Sequence, residues 1–397
     1  MDRLINAGRD GYSRRGAIVE EVVIVRYSEI AVKGRHTRPR LERLLAKHIE
    51  EAMRRRGVEG RVERLQGRIL IRDPSDSEKA AISAARVFGV KSTSPAKVVD
   101  FNGLDDLVEK AAEHFAPRVE GKVFRVTARR TGVHDFTSLD VEKELGARLL
   151  ELGANRVDLH RPDYIAYVEV RGNRAYLYDR IIEGPGGLPL GSEEPTLVLF
   201  SGGFDSTAAA WLVMKRGSPA DLVFFDIGVR EVYNIMMEAA EALAREWIHG
   251  RRLKLYVVDF RDVASTVASN VRPKYRVLVM RRLMLVEAER IAVEKGYEAL
   301  VTGESIGQVA TQTVRNMRLI GSGVTLPVVR PVSGMDKDEV VRIVHRIGLY
   351  DIVSRQIEAC RMGVDPTPRG DPAIFNDELG KVLGKYRIQV SEYEIGG

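Results

Sequence analysis

Cysteine is nearly absent from this chain of 397 residues, which contains only Cys360. A single cysteine excludes an intrachain disulfide, a zinc site built from cysteines and an iron–sulfur cluster held by one chain. Any thiol chemistry in this protein therefore depends on Cys360 or on a partner.

Long apolar runs are also missing. No run is long enough to span a bilayer, and the first ten residues, MDRLINAGRD, lack the apolar core of a secretory signal. We therefore expect a cytoplasmic protein with no membrane contact. Aromatic residues make up only 7% of the chain, which argues against a stacking platform for single-stranded nucleic acid.

Basic residues outnumber acidic ones, and the net charge is +6. This balance favours a polyanionic partner. The basic clusters are concentrated in the first half of the chain. They comprise Lys33, Arg35, His36, Arg38 and Arg40, then Arg54, Arg55 and Arg56, and finally Arg125, Arg129 and Arg130. For each cluster taken alone, a solvated face is the alternative interpretation.

Hydrophobic periodicity and turn residues divide the chain into segments. Residues 1–19 are expected to form a loose basic tail, residues 20–76 a small α+β unit and residues 77–182 a second such unit. The turn-rich stretch 183–194 is predicted to link these units to residues 195–397. There, strand patterns alternate with helical ones, which is typical of an α/β fold with a doubly wound parallel sheet.

The stretch SGGFDST at 201–207 lies between an apolar strand pattern and a helical pattern. Such a turn points backbone N–H groups and a helix N-terminus at one place, which makes an anion site. The glycines let the backbone approach the anion closely. Because the loop has no lysine, it is not the GxxxxGK[ST] type. An ordinary strand–helix turn is the alternative.

This loop resembles the SGGxDS loop of the ATP pyrophosphatase (PP-loop) family, which binds the pyrophosphate end of ATP. Other segments resemble the tRNA 4-thiouridine synthetases, or tRNA sulfurtransferases. These are VTGESIGQVATQT at 301–313, RPVSGMDKDE at 330–339 and RYSEIAVKGR at 26–35. Residues 88–95 and 124–132 are similar to the family's THUMP domain, an RNA-binding module.

The resemblance implies a ferredoxin-like domain at 20–76, a THUMP domain at 77–182 and a PP-loop ATP pyrophosphatase domain at 195–397. It further implies an enzyme that adenylates uridine 8 of tRNA and replaces its C4 oxygen with sulfur, giving 4-thiouridine. The expected cofactors are ATP and Mg²⁺. The expected partners are tRNA, a sulfur donor (a persulfide-carrying protein or sulfide) and a second copy of the chain in a homodimer.

Two alternatives stay open. One is another THUMP/PP-loop enzyme that modifies tRNA by adenylation, and the other is a non-catalytic tRNA-binding protein. Longer family members append a rhodanese domain with a second, persulfide-carrying cysteine, and this sequence ends at Gly397 without one. We therefore expect a short form of the family. The resemblance also implies a link to thiamine thiazole biosynthesis, although the family ties that role to the rhodanese domain.

In an open α/β sheet, ligands lie at the carboxyl ends of the strands. This rule and the resemblance together imply one ATP site. Its expected residues are Leu199, Phe200, Ser201, Gly202, Gly203, Asp205, Ser206, Thr207, Phe224, Phe225, Arg281, Gly303 and Gln312. Core packing is an equally good interpretation of Phe224 and Phe225, and a helical arginine such as Arg281 is usually just solvated.

The resemblance implies catalytic roles for Asp205, Lys337 and Cys360. Asp205 would repel ATP unless it bound Mg²⁺ or oriented the loop; capping the next helix is the alternative. No direct metal-binding motif is present. Lys337 is expected to neutralise phosphate charge, although a lysine at a helix start is usually a surface residue. Cys360 is expected to be a thiolate that carries or releases sulfur, and a small buried residue is the alternative.

RNA helices are recognised by shape and phosphate contacts because A-form grooves hide the identity of the bases. Four basic residues are therefore the candidates for binding tRNA phosphates: Lys33, Arg35, Arg129 and Arg130.

Overall fold

The computed structural model describes residues 20–65, 67–355 and 366–396. The predicted tail at 1–19 and Cys360 lie outside these residues. The described residues divide into two compact units. One contains residues 20–23, Arg72–Ser77 and Ser94–Arg180, and the other contains the described parts of Ile24–Ile71, Glu78–Thr93 and 181–396. No helix in the described ranges is long and apolar enough to cross a membrane.

An α+β segment opens the described chain. Its elements are β1 (Glu20–Arg26), a 3₁₀ turn (Glu29–Val32), α1 (Thr37–Arg55), β2 (Arg61–Leu65), β3 (Arg68–Arg72) and α2 (Ser77–Ala84). The strands neighbour each other in the order β2-β3-β1. Helix α1 begins at Thr37, and its first turn accommodates Pro39. It buries an apolar face that includes Leu45 and Ile49.

The first compact unit contains most of the next elements. They are β4 (Ser92–Asp100), α3 (Leu104–Val119), β5 (Val123–Thr131), α4 (Ser138–Glu151), β6 (Arg156–Val157), β7 (Tyr164–Arg171) and β8 (Arg174–Tyr178). The strand order is β4-β8-β7-β5-β6. Strand β5 runs parallel to β6 and β7, whereas β8 is antiparallel to β4 and β7. Helices α3 and α4 complete a core around Phe115 and Phe124.

The remaining elements belong to the second unit. The strands are β9 (Ile182–Glu183), β10 (Thr196–Leu199), β11 (Ala220–Asp226), β12 (Leu253–Asp259), β13 (Ala299–Val301), β14 (Val328–Val329) and β15 (Gln389–Ile395). The helices are α5 (Phe204–Lys215), α6 (Arg230–Trp247), α7 (Arg261–Asn270), α8 (Arg276–Lys295), α9 (Val314–Gly321), α10 (Lys337–Ile347), α11 (Tyr350–Val353) and α12 (Pro372–Gly380), with a 3₁₀ turn at Pro273–Tyr275.

Six strands form the sheet that carries the site, in the order β14-β13-β10-β11-β12-β15. All neighbouring pairs are parallel except β12 and β15. Separate apolar cores lie on the two faces, one around Trp211 and Trp247 and the other around Phe260 and Phe375. Helices cover both faces, which explains why the central strands are apolar throughout. The predicted doubly wound parallel sheet is therefore confirmed.

The sequence analysis did not predict β15, the antiparallel edge strand. Its sequence, QVSEYEI, is mostly exposed, so it lacks the apolar run by which the parallel strands were predicted. Backbone pairing with β12, from Leu253 opposite Ile395 to Asp259 opposite Gln389, holds it in place. Helices α7, α9 and α12 were also not predicted. Helix α7 is rich in Ser and β-branched residues, which are weak helix formers.

Candidate functional site

A cavity of about 280 Å³ opens at the carboxyl ends of β10, β11 and β13. It is lined by Leu199, Phe200, Ser201, Asp205, Ser206, Val223, Phe224, Phe225, Arg281, Met284, Leu285, Thr302, Gly303, Glu304, Gln312 and Ile320. All the predicted ATP residues are in this lining except Gly202, Gly203 and Thr207, which are buried in the same loop and helix start. Segments more than 100 residues apart thus meet where parallel strands end.

The predicted phosphate loop joins β10 to α5. Gly203 is the N-cap of α5, and no side chain in the described part of the chain caps this helix. Its first-turn N–H groups therefore remain available to an anion, with the positive end of the helix dipole behind them. The hydroxyl of Ser206 lies 3.1 Å from that of Ser201 and 3.2 Å from the carbonyl oxygen of Gly203, which fixes the loop from within.

Two glycines allow the backbone segments to approach closely. Gly202 has φ +76°, and a Cβ there would lie 2.6 Å from the Cα of Met236 on α6. A Cβ on Gly303, just after β13, would lie 2.6 Å from the carbonyl carbon of Asp205. The first turn of α5 therefore rests directly on the β13 segment, and no residue larger than glycine fits between them.

Asp205 lies in the first turn of α5 and is half-buried. Its Oδ2 accepts a hydrogen bond from the Nε2 of Gln308 at 3.1 Å. Burial raises the pKa of Asp205, while that hydrogen bond and the charges of Lys337 and Arg281 oppose the rise. The structure thus brings together three predicted residues from separate segments, Asp205, Arg281 and Lys337. The carboxylate does not cap α5.

Lys337 is the first residue of α10 and is exposed. The segment before it is fastened to the loop after β13, because the hydroxyl of Ser305 donates to the carbonyl of Met335 at 2.7 Å and the backbone N–H of Ile306 donates to that of Ser333 at 3.0 Å. Asp336 and Glu339 form a capping box around the helix start. The loop after β13 therefore holds the start of α10 and, through Gln308, Asp205.

Two buried polar atoms near the cavity have no hydrogen-bond partner among the described residues. They are the Oε1 of Gln312, whose side chain lines the cavity and is 6% exposed, and the Oγ1 of Thr207. Buried polar atoms are normally satisfied, so an unpaired acceptor in a cavity wall suits a ligand that donates a hydrogen bond. Other parts of the cavity wall are apolar, with side chains such as Phe225 and Met284, and an apolar wall suits a flat base.

Sequence reasoning missed Glu304, a carboxylate in the cavity wall. Its side chain is paired with Arg281 at 3.3 Å and with Arg330 at 2.8 Å. It lies inside the TGES segment that carried part of the family resemblance, but it was given no role there. A buried carboxylate among arginines from distant segments is visible only once the chain is folded.

The four candidates for binding tRNA lie in different units, and all except Arg130 are exposed. Lys33 and Arg35 follow the first 3₁₀ turn in the second unit and are exposed. Arg129 and Arg130 are neighbours on β5 in the first unit, so their side chains leave opposite faces of the strand. Arg129 is exposed, whereas Arg130 donates to the carbonyl of Gly132 at 3.0 Å and contacts His134.

The expected metal would accompany the nucleotide. Within residues 20–65, 67–355 and 366–396, no group of three or more His, Cys, Asp or Glu side chains is arranged to hold a metal ion. Cys360 lies outside these ranges, so its role stays a prediction.

Family models match three segments of the chain. A ThiI ferredoxin-like domain matches residues 22–94, a THUMP domain residues 101–179 and ThiI, described as a thiamine biosynthesis protein, residues 191–382. A probable tRNA sulfurtransferase of Aeropyrum pernix is 59% identical over 91% of this chain and 92% of the relative. The chain belongs to the tRNA sulfurtransferase (ThiI) family. The predicted family and fold class are thereby confirmed.

A second relative and a solved structure are also similar to this chain over most of its length. A tRNA sulfurtransferase of Thermoplasma acidophilum is 36% identical over 90% of this chain and 73% of its own length. The crystal structure of a 4-thiouridine synthetase in complex with RNA and bound ATP is similar with a TM-score of 0.76 and 30% identity, covering 94% of this chain and 99% of that one.

Proposed function

We propose that this protein is an ATP-dependent tRNA sulfurtransferase that converts uridine 8 of tRNA to 4-thiouridine. A carbonyl oxygen is a poor leaving group, so the O4 of uridine first attacks the α-phosphate of ATP and releases pyrophosphate. A sulfur nucleophile then adds at C4 and expels AMP. The observation that carries this proposal is the cavity at the uncapped start of α5, where the predicted ATP residues converge.

The cavity suits ATP at both ends. The open N–H groups after Gly203, with the hydroxyls of Ser201 and Ser206, would hold the phosphates. The apolar wall would take the adenine, and the unpaired Oε1 of Gln312 would accept a hydrogen bond from the nucleotide. A related 4-thiouridine synthetase binds ATP and RNA, which supports the same roles here.

Asp205 and Lys337 are the proposed catalytic residues of the adenylation step. Asp205 would bind the Mg²⁺ that accompanies the phosphates, because carboxylate oxygens are preferred ligands for this ion. Its carboxylate already lies close enough to Lys337 and Arg281 for their charges to influence it. Lys337 would neutralise the charge that develops on the departing pyrophosphate.

Sulfur delivery is proposed to use Cys360, the single cysteine of the sequence. As a thiolate it would carry a persulfide or help to release sulfur from an incoming persulfide, whereas free sulfide would attack C4 directly. We further propose that Lys33, Arg35, Arg129 and Arg130 bind tRNA phosphates, that the chain acts as a homodimer, and that it works in the cytoplasm.

Mass spectrometry of nucleosides tests the proposal directly. Unmodified tRNA is incubated with the protein, Mg²⁺ and sulfide, with and without ATP, and then digested. We expect 4-thiouridine only when ATP is present, located at position 8 by sequencing of the RNA fragments. Release of pyrophosphate without 4-thiouridine would point to another adenylating enzyme. Binding of tRNA without either product would leave the non-catalytic alternative.

A second use of the same chemistry is favoured by one observation, the family description as a thiamine biosynthesis protein. We propose it only as a secondary role. Rescue of thiamine-free growth in a host that lacks its own family member tests it separately from tRNA thiolation.

A further inference from the structure

Glu304 presents an electrostatic puzzle in the proposed nucleotide site. Its carboxylate lines the same cavity as Arg281 and Gln312, where it would repel phosphates, and it is only 7% exposed. A buried carboxylate is costly unless it is paired and hydrogen-bonded. Glu304 therefore needs cationic and hydrogen-bonding partners in this wall.

Both oxygens of the carboxylate are occupied. Oε1 accepts a hydrogen bond from the Nη1 of Arg281 at 3.3 Å. Oε2 accepts from the Nε of Arg330 at 2.8 Å and from the hydroxyl of Thr302 at 3.1 Å. Glu304 therefore joins an arginine on α8 to an arginine that follows β14.

The two arginines differ in what they reach. Arg281 lines the cavity, whereas Arg330 is not part of the lining formed by the described residues. Arg330 is instead anchored to the backbone, because its Nη1 donates to the carbonyl of Val328 at 3.3 Å. Three successive hydrogen bonds therefore connect the backbone of β14 to Arg330, Arg330 to Glu304, and Glu304 to Arg281 at the cavity.

We propose that Glu304 and Arg330 are positioning residues that hold the guanidinium of Arg281 in its nucleotide-binding orientation. This inference rests on the proposed function of the cavity. A guanidinium has five N–H donors, so the single bond to Glu304 orients Arg281 and leaves donors for the ligand. The affinity for ATP then depends on Arg330, a residue that does not line the nucleotide cavity.

Calorimetric titration of the full chain with ATP tests this, together with KM and kcat for pyrophosphate release in the presence of tRNA. Glu304→Gln and Arg330→Met are expected to raise the Kd and the KM for ATP about tenfold or more, the value of one charge-assisted hydrogen bond. Because the reacting groups are untouched, kcat should change far less. Arg330→Lys, which keeps the charge but loses the forked geometry, replaces Arg330→Met if that variant does not fold.

The double variant tests whether Arg330 acts on Arg281 through Glu304, an arrangement called the relay below, or whether the two residues act independently. If Arg330 acts through Glu304, then Glu304→Gln with Arg330→Met binds ATP no more weakly than Glu304→Gln alone. The matched control is Glu287→Gln. Glu287 is a buried carboxylate on the same helix as Arg281, and it pairs at 2.6 Å with Arg290 instead of lining the cavity. Its loss should lower the melting temperature without changing the Kd for ATP.

Two results would overturn the relay while leaving the proposed function intact. One is an unchanged Kd for folded Glu304→Gln when the wild type binds ATP, and the other is a double variant whose loss is the product of the single losses. A wild-type chain that binds no ATP would overturn the proposed function and the relay with it.

Discussion

Replacing Gly303 with alanine should damage the nucleotide site through the backbone alone. A Cβ at this position would lie 2.6 Å from the carbonyl carbon of Asp205, 2.7 Å from the backbone nitrogen of Ser206 and 2.8 Å from the carbonyl oxygen of Asp205. All three atoms belong to the first turn of α5. Backbone atoms cannot rotate away as a flexible side chain would, so either α5 or the segment after β13 must move.

The size of the effect follows from these distances. Ordinary van der Waals contact begins at 3.4 Å, so the nearest pair must separate by 3.4 − 2.6 = 0.8 Å. Overpacking of this kind typically costs about 1–3 kcal/mol, which lowers the melting temperature by several degrees in a chain of this size. A displacement approaching 1 Å at a reactive site costs about a hundredfold in rate. We therefore expect pyrophosphate release to fall far more than stability does.

Pyrophosphate release at saturating ATP and tRNA, measured beside thermal unfolding, tests this expectation. Gly334→Ala is the matched control, because a Cβ on Gly334 meets nothing within 4 Å and its backbone does not require a positive φ. It should behave as the wild type. A Gly303→Ala variant with wild-type rate and melting temperature would show that the close approach of α5 to β13 does not exist in solution.

The remaining predictions concern charge, sulfur and pH. Asp205→Asn should abolish pyrophosphate release and leave tRNA affinity unchanged, whereas the control Asp262→Asn, at the equivalent position of α7, should leave both unchanged; a loss of tRNA binding in Asp205→Asn would contradict the separation of the two functions. Neutralising Lys33, Arg35, Arg129 or Arg130 should weaken binding of all tRNAs alike and reduce the salt slope by somewhat less than about 0.9 per phosphate contact, and an unchanged slope would mean that the residue is merely solvated. Cys360→Ser should still adenylate tRNA but form no 4-thiouridine from a persulfide donor, with free sulfide as a partial bypass; wild-type thiolation would exclude the catalytic role. Burial lowers the pKa of His48 to about 4 and that of His249 to about 3, so both favour the neutral form in the fold. The stability that depends on these neutral histidines is fully present above the unfolded pKa of about 6.5. It is lost as the pH falls toward 4, at up to about 1.4 kcal/mol per pH unit for each histidine. The denaturation midpoint should therefore be lower at pH 5 than at pH 7, and this difference should be smaller in His249→Phe.

Local features of the sequence were enough to predict the parallel sheet and the phosphate loop. The strands from β10 to β13 are apolar on both faces because helices cover both, and that pattern survives in the linear sequence. The loop at 201–207 could be interpreted in the same way, since glycine spacing and a following helix are properties of neighbouring residues. The polar edge strand β15 has no such pattern, because it is held by the backbone of β12.

The sequence alone was therefore enough to predict the family, the alternation of strands and helices in residues 195–397 and most of the residues that line the cavity. How those residues act on one another is visible only in the folded chain. The contact between Gly303 and Asp205 and the chain from Arg330 through Glu304 to Arg281 join residues that are far apart in sequence. Such contacts depend on which parallel strands are neighbours and on where each strand ends. A local pattern of residues indicates neither of these.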